Sequence, residues 1–184
     1  MDCGFFCDTG VIYGLCYFSD DHKPACKSFV KKYPIKDHQY FYPSIVEDEL
    51  ENHKVKLSRK SKYLNKTEQG YARSFQMCVE RLLKRMEHFD AKTHSEFIDI
   101  YKELLKELKS VIKITGPNQE NDIEIASHAI IWSIITKNEV NSLITVDGSD
   151  LASKEEQILE MGENTSKFPI NLKIIYVPGL FETA

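Results

Sequence analysis

The stretch "SLITVDGSDL", residues 142–151, decides the fold class of this chain. Residues 143–146 are apolar or β-branched, which is typical of a short buried strand. The strand is followed at once by Asp147, with Asp150 three residues later. Two interpretations remain open at this point. The aspartates either form a turn, which Asp favours, or contribute to a site at the carboxyl edge of a sheet.

Three further short apolar runs predict strands, at residues 4–8, 38–43 and 172–178. Helical patterns separate them. Short apolar strands that alternate with helices indicate an α/β fold, with a parallel β-sheet flanked by helices on both faces. The segment between about 54 and 114 is charged and has apolar residues at helical spacing, so we expect it to be a helical excursion. We expect residues 1–184 to form a single domain.

Composition excludes several classes of protein. Apolar residues make up 42% of the 184 residues and charged residues 28%. The absence of a run of about 18 apolar residues argues against a transmembrane helix. The acidic start argues against a signal peptide, so we expect a cytoplasmic location. The number of cysteines is odd, five, and they form no CxxC pair. This pattern favours reduced, mostly buried thiols over a disulfide framework or a zinc site.

The charge is unevenly distributed along the chain. The net charge is −4, but the segment from Lys54 to Lys92 carries 11 Lys and Arg against 4 Asp and Glu. The net charge of that segment is therefore +7, and the net charge of the rest of the chain is −11. The asymmetry is typical either of a surface for a polyanion or of a solvated helical hairpin. The basic residues nearest its start are Lys54, Lys56, Arg59, Lys60 and Lys62.

Four acids fall where the predicted fold places ligands. Asp8 and Asp147 follow predicted strands, Glu49 lies on the helix after the second strand, and Asp122 lies near the start of a buried helix. Each has a structural alternative, as an N-cap, a turn former, a solvated glutamate or a partner of the helix dipole. Ser44 and Glu47 match a capping box. Asn121 with Glu124 resembles another cap.

Considered together, the four acids indicate a metal site. Carboxylates that converge at one sheet edge repel one another, and without a cation some of them would have to bind protons. Oxygen ligands suit Mg²⁺ or Mn²⁺ better than zinc. These ions activate water and stabilise phosphoryl oxygens during hydrolysis.

The order of these motifs resembles the PIN domain, the metal-dependent nuclease fold of VapC-type toxins and related RNases. The matching pieces are "FFCDTGVIYGL", "SIVEDELENH", "NDIEIASHA" and "LITVDGSDL", and the terminal "IIYVPGLF" is similar to the last strand of the family. The resemblance covers almost the whole chain. This chain departs from the family pattern in "DTGV", in the loop after Asp147, and in the longer segment between Glu49 and Asp122.

The resemblance implies a set of site residues. Asp8, Glu49, Asp122 and Asp147 would be catalytic residues and metal ligands, with Asp150 as a further ligand. Thr145 would orient a carboxylate or a water molecule, and the resemblance places Thr9 and Ser44 beside the site. The basic strip Lys54, Lys56, Arg59, Lys60 and Lys62 would hold the RNA backbone.

The function implied is a Mg²⁺- or Mn²⁺-dependent endoribonuclease, in one version the toxin of a toxin–antitoxin pair with a small inhibitor protein as partner. The resemblance also implies a homodimer. The alternative is a non-catalytic PIN-fold module that binds RNA or a protein, which the altered loop at 147–151 leaves open. An aspartyl phosphatase would need a second Asp two residues after Asp8, and Gly10 stands there. We expect His53 to be a surface residue and His128 a satisfied core residue.

Overall fold

The computed structural model describes residues 3–17, 20–61, 66–113, 117–136, 138 and 140–181, with the backbone alone at 57–61, 66–68, 117 and 118. Within these ranges five strands form one sheet: β1 (Cys3–Cys7), β2 (Gln39–Tyr42), β3 (Glu87–His88), β4 (Val140–Thr145) and β5 (Lys173–Tyr176). Their order is β3-β2-β1-β4-β5, and every neighbouring pair is parallel. The predicted α/β class and parallel sheet are confirmed.

In the part of the chain that the structure describes, seven α-helices connect the strands. They are α1 (Thr9–Cys16), α2 (Lys23–Lys32), α3 (Ser44–Ser61), α4 (Lys66–Leu83), α5 (Ile98–Glu107), α6 (Pro117–Ile135) and α7 (Glu155–Ser166). Within the described ranges, no helix is both long and apolar enough to cross a membrane. The segment 54–114 is mostly helical, as expected, but it also contributes β3. Two residues are too few for hydrophobic periodicity to reveal a strand.

Neighbouring residues of β1 show how both faces of the sheet are covered. Successive side chains of a strand point to opposite faces. The ring of Phe5 lies 5.2 Å from that of Phe29 on α2, whereas the ring of Phe6 lies 5.4 Å from that of Trp132 on α6. Helices α1, α2 and α4 pack around one another, and α5, α6 and α7 form a second group. Both faces of the sheet are therefore buried, which explains its nearly continuous apolar strands.

Two predicted helix caps are wrong. Helix α6 begins at Pro117, so Asn121 lies inside the helix and does not cap it. Ser44 is the first residue of α3, but its hydroxyl donates to Oδ2 of Asp90 at 3.1 Å and lies 2.9 Å from Nε2 of His88. These partners come from 44 and 46 residues further along the chain, so local sequence could not indicate that they compete for the hydroxyl.

Cysteine pairing also differs from the expectation. Cys16 on α1 and Cys78 on α4 form a disulfide, while Cys3, Cys7 and Cys26 are free thiols. The prediction of five reduced thiols is therefore wrong for this pair, which is separated by 62 positions. The packing of α4 on α1 brings the two cysteines together. The interpretation of His128 as a core residue is confirmed, since it is fully buried and accepts a 3.0 Å hydrogen bond from the amide of Ala91.

Candidate metal centre

One cavity at the carboxyl edge of the sheet contains the four predicted acids. Asp8 immediately follows β1 and Asp147 follows β4, and these two strands are adjacent in the sheet. Glu49 reaches the cavity from α3 and Asp122 from α6. The cavity has a volume of about 630 Å³, and the rest of its lining comprises Thr9, Gly10, His22, Val146, Gly148, Ser149 and Tyr176.

Asp8 is the most deeply placed carboxylate, with 6% of its surface exposed. Its Oδ2 accepts a 2.7 Å hydrogen bond from the hydroxyl of Thr145. Burial raises the pKa of Asp8 to about 6, and the charges of Glu49 and Asp147 add to the rise, although the Thr145 hydrogen bond opposes it. The cavity therefore makes this carboxylate costly to ionise in the absence of a cation.

The pKa of Asp122 is raised further than that of Asp8. Its pKa is raised to about 8, first by burial and then by the negative charges of Asp8, Asp147, Asp150 and Glu49. Like charges that face one another disfavour ionisation, and a bound divalent cation reverses this effect. Carboxylate oxygens of Asp122, Asp147 and Asp150 lie within 4.8 Å of one another, a separation that one ion could bridge. This all-oxygen donor set fits Mg²⁺ or Mn²⁺.

Glu49 is held in place on both of its oxygens. Oε2 accepts a hydrogen bond from the hydroxyl of Thr9, and Oε1 accepts one from the side-chain amide of Asn121. These donors come from α1 and α6, so Glu49 ties three helices together at the edge of the cavity. The carboxylate is oriented before any ligand arrives, which reduces the ordering cost of binding.

Asp147 has a turn-forming role alongside its place in the cavity. Its Oδ1 accepts from the amides of Ser149 and Asp150 at 2.7 and 2.9 Å, and from the Ser149 hydroxyl at 2.9 Å. Its own amide donates to Oγ1 of Thr145 at 2.8 Å. The turn interpretation is therefore confirmed, and Asp147 also lies in the lining of the cavity.

Asp150 is already paired within the protein. It accepts from Gln119 at 3.1 Å and from Lys154 at 3.0 Å, and these hydrogen bonds lower its pKa. Its charge is therefore partly neutralised, unlike the charges of Asp8 and Asp122.

Some of the remaining predicted residues line a cavity at this edge of the sheet, and others do not. Thr9 lines the cavity, whereas Ser44 binds Asp90 and is not part of its lining. Lys54 pairs with Glu51 at 3.0 Å and Glu80 at 3.8 Å, so it faces α4. Lys56 lines an adjoining cavity. The side chains of Arg59 and Lys60, and all of Lys62, lie outside the described residues.

Sequence reasoning missed several residues at this edge. Asn121 was interpreted as a cap, although Pro117, a residue favoured in the first helical turn, was a signal that α6 begins earlier. His53 was expected to be a surface residue, but its ring is half-buried against Tyr13 and lines the adjoining cavity. No sequence signal indicated His22 or Tyr176, which reach the first cavity from loops and strands far apart in the chain.

Comparison with known proteins supports the fold. A solved chain of VapBC2 from Rickettsia felis, crystallised with a DNA fragment from the promoter, is similar to this chain with a TM-score of 0.54. The match covers 94% of this chain and 97% of that one, at 22% sequence identity. No protein-family model matches the sequence, and no curated protein matches it. The likeness therefore concerns the PIN-like arrangement of strands and helices.

Proposed function

We propose that this protein is a PIN-like, Mg²⁺- or Mn²⁺-dependent endoribonuclease. The observation that carries the proposal is the convergence of Asp8, Glu49, Asp122 and Asp147, from two strand ends and two helices, on one cavity. The raised pKa values of Asp8 and Asp122 support it, because carboxylates arranged so that they resist ionisation are typical of cation sites.

In this proposal Asp122, Asp147 and Asp150, whose oxygens lie within 4.8 Å of one another, hold the ion, and Asp8 and Glu49 complete the set of ligands. A bound divalent ion would neutralise the carboxylates, activate water and stabilise the phosphoryl oxygens. Thr145 fixes Asp8 through its hydroxyl, and Thr9 and Asn121 fix Glu49. Ser44 does not line the cavity, and it stays in the proposal as a supporting residue on the basis of the family resemblance alone. The protein's own contribution is a rigid set of oxygens at a fixed separation, which is what metal-assisted phosphodiester hydrolysis requires.

The basic strip would bind the phosphates that flank the cleaved bond. Lys56 is the described lysine nearest to this role, because it lines a cavity that also contains Glu49. Lys54 is engaged by two glutamates and would contribute less. Arg59, Lys60 and Lys62 remain in the proposal on the basis of sequence alone. Positive charge here would offset the repulsion between RNA and the acidic cavity.

The proposal extends to partners and location. The likeness to VapBC2 supports a toxin that acts in the cytoplasm and is inhibited by a small protein, since an unregulated ribonuclease would damage its own cell. A homodimer is proposed from the family resemblance. Co-expression with a short neighbouring reading frame, followed by co-purification and a cleavage assay, tests the inhibitor. Size-exclusion chromatography with light scattering tests the dimer.

The principal experiment is cleavage of a labelled RNA pool with Mn²⁺, with Mg²⁺ and with EDTA. Asp122→Asn tests the site. Asp99→Asn is its matched control, because the Asp99 side chain is 93% exposed on α5. We expect metal-dependent cleavage by the wild type and by Asp99→Asn, and at least a 100-fold loss in Asp122→Asn. Cleavage that survives in Asp122→Asn would place the activity elsewhere.

A non-catalytic binding module is the second candidate, and one observation favours it. Asp147 and Asp150 are satisfied by internal hydrogen bonds and an ion pair, so the loop is stable without an ion. In that case RNA would bind without being cleaved, and manganese would have no effect on the melting temperature. A metal-induced rise in melting temperature that is absent in Asp122→Asn would exclude this candidate.

A further inference from the structure

A second cavity adjoins the acidic one and differs from it in chemistry. It has a volume of about 530 Å³ and shares Thr9, Gly10 and Glu49 with the first cavity, so the two lie side by side. The rest of its lining consists of rings, amides, one leucine and one lysine: Tyr13, Leu50, Asn52, His53, Lys56 and Asn121. Both volumes lie in the range of small-ligand sites, roughly 300–1,000 Å³.

Two rings form a supported wall of this cavity. The hydroxyl of Tyr13 lies 3.0 Å from Nε2 of His53, and the ring centroids are 4.6 Å apart at an angle of 77°. Tyr13 also stacks on Tyr17 at 4.8 Å, and Phe75 packs behind Tyr13 and His53 at 5.3 and 5.9 Å. These contacts join α1, α3 and α4, so the rings are held in place before a ligand binds.

Tyr13 and His53 are only half-buried, although Phe75 behind them is fully buried. The wall therefore presents ring surface to the cavity while its support is closed to solvent. Burial raises the pKa of Tyr13 to about 12, so its phenol is neutral at physiological pH. The neutral ring of Tyr13 suits a flat, uncharged group better than a phosphate.

The polar groups of the cavity match the edge of a nucleobase. The amide of Asn52 offers donors and an acceptor, and that of Asn121, which donates to Glu49, retains its oxygen and one N–H. Such groups read base edges. Lys56 supplies a positive charge suited to a phosphate. Glu49 is the carboxylate in the described lining, and both of its oxygens already accept hydrogen bonds, from Thr9 and Asn121. Its charge is thereby partly offset by two hydrogen-bond donors of the same cavity.

We propose that the second cavity holds an unpaired base of the nucleotide next to the phosphate that is cleaved, stacked against His53 and Tyr13. The inference rests on the proposed ribonuclease and narrows its substrate to single-stranded RNA. Because the two cavities share Glu49, a strand with one phosphate at the acids has its neighbouring nucleotide at the ring wall. A base inside a duplex is stacked and paired, and it would have to leave the helix to enter.

Binding tests the inference without requiring catalysis. The probe is a fluorescein-labelled 12-nucleotide RNA of mixed sequence, single-stranded or annealed to its complement, with anisotropy measured in EDTA and in Ca²⁺. We expect the single strand to bind about tenfold more tightly than the duplex, and His53→Ala to lose about tenfold in affinity, as base stacking commonly contributes. His53→Phe, which retains a ring, should recover most of that loss.

Two further variants separate stacking from a folding defect. Asn52→Ala changes an exposed side chain, so it should fold normally and weaken binding several-fold. His94→Ala is the matched control, because His94 also stacks on an aromatic ring, that of Phe89 at 5.2 Å, but does not line either cavity. It should bind like the wild type. Equal affinity of wild type and His53→Ala, equal binding of duplex and single strand, or no binding of the single strand would each overturn the inference.

The same variants in the cleavage assay distinguish the two proposals. If the wild type cleaves RNA and His53→Ala has the same KM and kcat, the ribonuclease stands and the base cavity is refuted. If the wild type cleaves nothing but binding still depends on His53, the ribonuclease fails and the base cavity stands. An abasic ribose placed at each position of a cleaved oligonucleotide should raise KM about tenfold at one position beside the cleaved bond.

Discussion

The hydroxyl of Thr145 donates a 2.7 Å hydrogen bond to Oδ2 of Asp8, although the two residues lie 137 positions apart. The same oxygen of Thr145 accepts the amide of Asp147 at 2.8 Å. One buried hydroxyl therefore connects the acid that follows β1 to the acid that follows β4. Since β1 and β4 are neighbours in the sheet, this link sets the separation of two predicted ligands.

Replacing Thr145 with valine should damage both stability and metal binding. The change leaves the part-buried amide of Asp147 without this partner, at a cost of about 1 kcal/mol. It also removes the hydrogen bond that lowers the pKa of Asp8, so this carboxyl should ionise at higher pH. Urea unfolding and manganese titration measure the two effects. Thr145→Ser retains the hydroxyl and should resemble the wild type, and a Thr145→Val protein as stable as wild type would contradict the role assigned here.

Asp122→Asn should stabilise the metal-free protein at alkaline pH. The pKa of Asp122 is raised from 3.8 to about 8, so its contribution to stability is present below about pH 3.8 and is lost as pH rises through 8. Asparagine does not ionise and avoids that loss. The measurement is the free energy of unfolding in EDTA, for Asp122→Asn minus wild type. This difference should grow in favour of the variant by about 1.4 kcal/mol or more between pH 5 and pH 8.5, after allowance for partial exposure of the side chain.

The control for this experiment is Asp99→Asn, which removes an equal charge from an exposed position. Its stability should follow that of the wild type across the same pH range. Parallel curves for wild type and Asp122→Asn would show that Asp122 ionises at an ordinary pH, and the electrostatic description of the cavity would then be wrong.

Protons should compete with the metal ion. Asp122 and Asp8, with pKa values raised to about 8 and about 6, must release protons before they bind a cation. The affinity for Mn²⁺ should fall about tenfold per pH unit from pH 8 to pH 6, and more steeply below pH 6. Calorimetric titration in two buffers of different ionisation enthalpy counts the protons, and we expect about one released near pH 7. An affinity that does not change from pH 6 to pH 8 would exclude these carboxylates as ligands.

Alkylation in denaturant should reveal the Cys16–Cys78 disulfide. Without reductant we expect three modified cysteines, Cys3, Cys7 and Cys26, and with reductant five. Reduction should also lower the free energy of unfolding by about 2–4 kcal/mol, because the bond closes a loop of about 60 residues in the unfolded chain. Intact mass spectrometry and urea unfolding provide the two readouts. Five reactive thiols without reductant would restore the expectation of a fully reduced protein.

Local patterns predicted much of this fold. The apolar runs at 4–8 and 143–146 became β1 and β4 because strands buried on both faces are nearly continuous apolar segments. The two-residue strand β3 was missed, since its pairing with β2 depends on a neighbour more than 40 positions away and not on its own residues. The same limit applies to the hydroxyl of Ser44, whose partners His88 and Asp90 come from the end of β3.

Part of the candidate site could likewise be predicted from local sequence, and part could not. Asp8 and Asp147 could be predicted because each directly follows a recognisable strand, and parallel strands end at one edge. Glu49 and Asp122 needed the family resemblance as well, since an acid on a helix has many structural roles. Asn121 and the ring wall of Tyr13 and His53 could not be predicted, because their positions depend on how α1, α3 and α6 pack against one another. The same holds for His22, which reaches the cavity from the turn before α2.

The parallel α/β architecture, the order of the acids along the chain and the basic character of the segment from Lys54 to Lys92 could all be read from the amino-acid sequence. These follow from periodicity and charge, which are local or additive properties. The three-dimensional packing was needed to show which oxygens face one another, which carboxyl groups have raised pKa values, and that Cys16 meets Cys78. Those properties depend on burial and on distances between residues far apart in the chain, and both are set when the helices pack on the sheet.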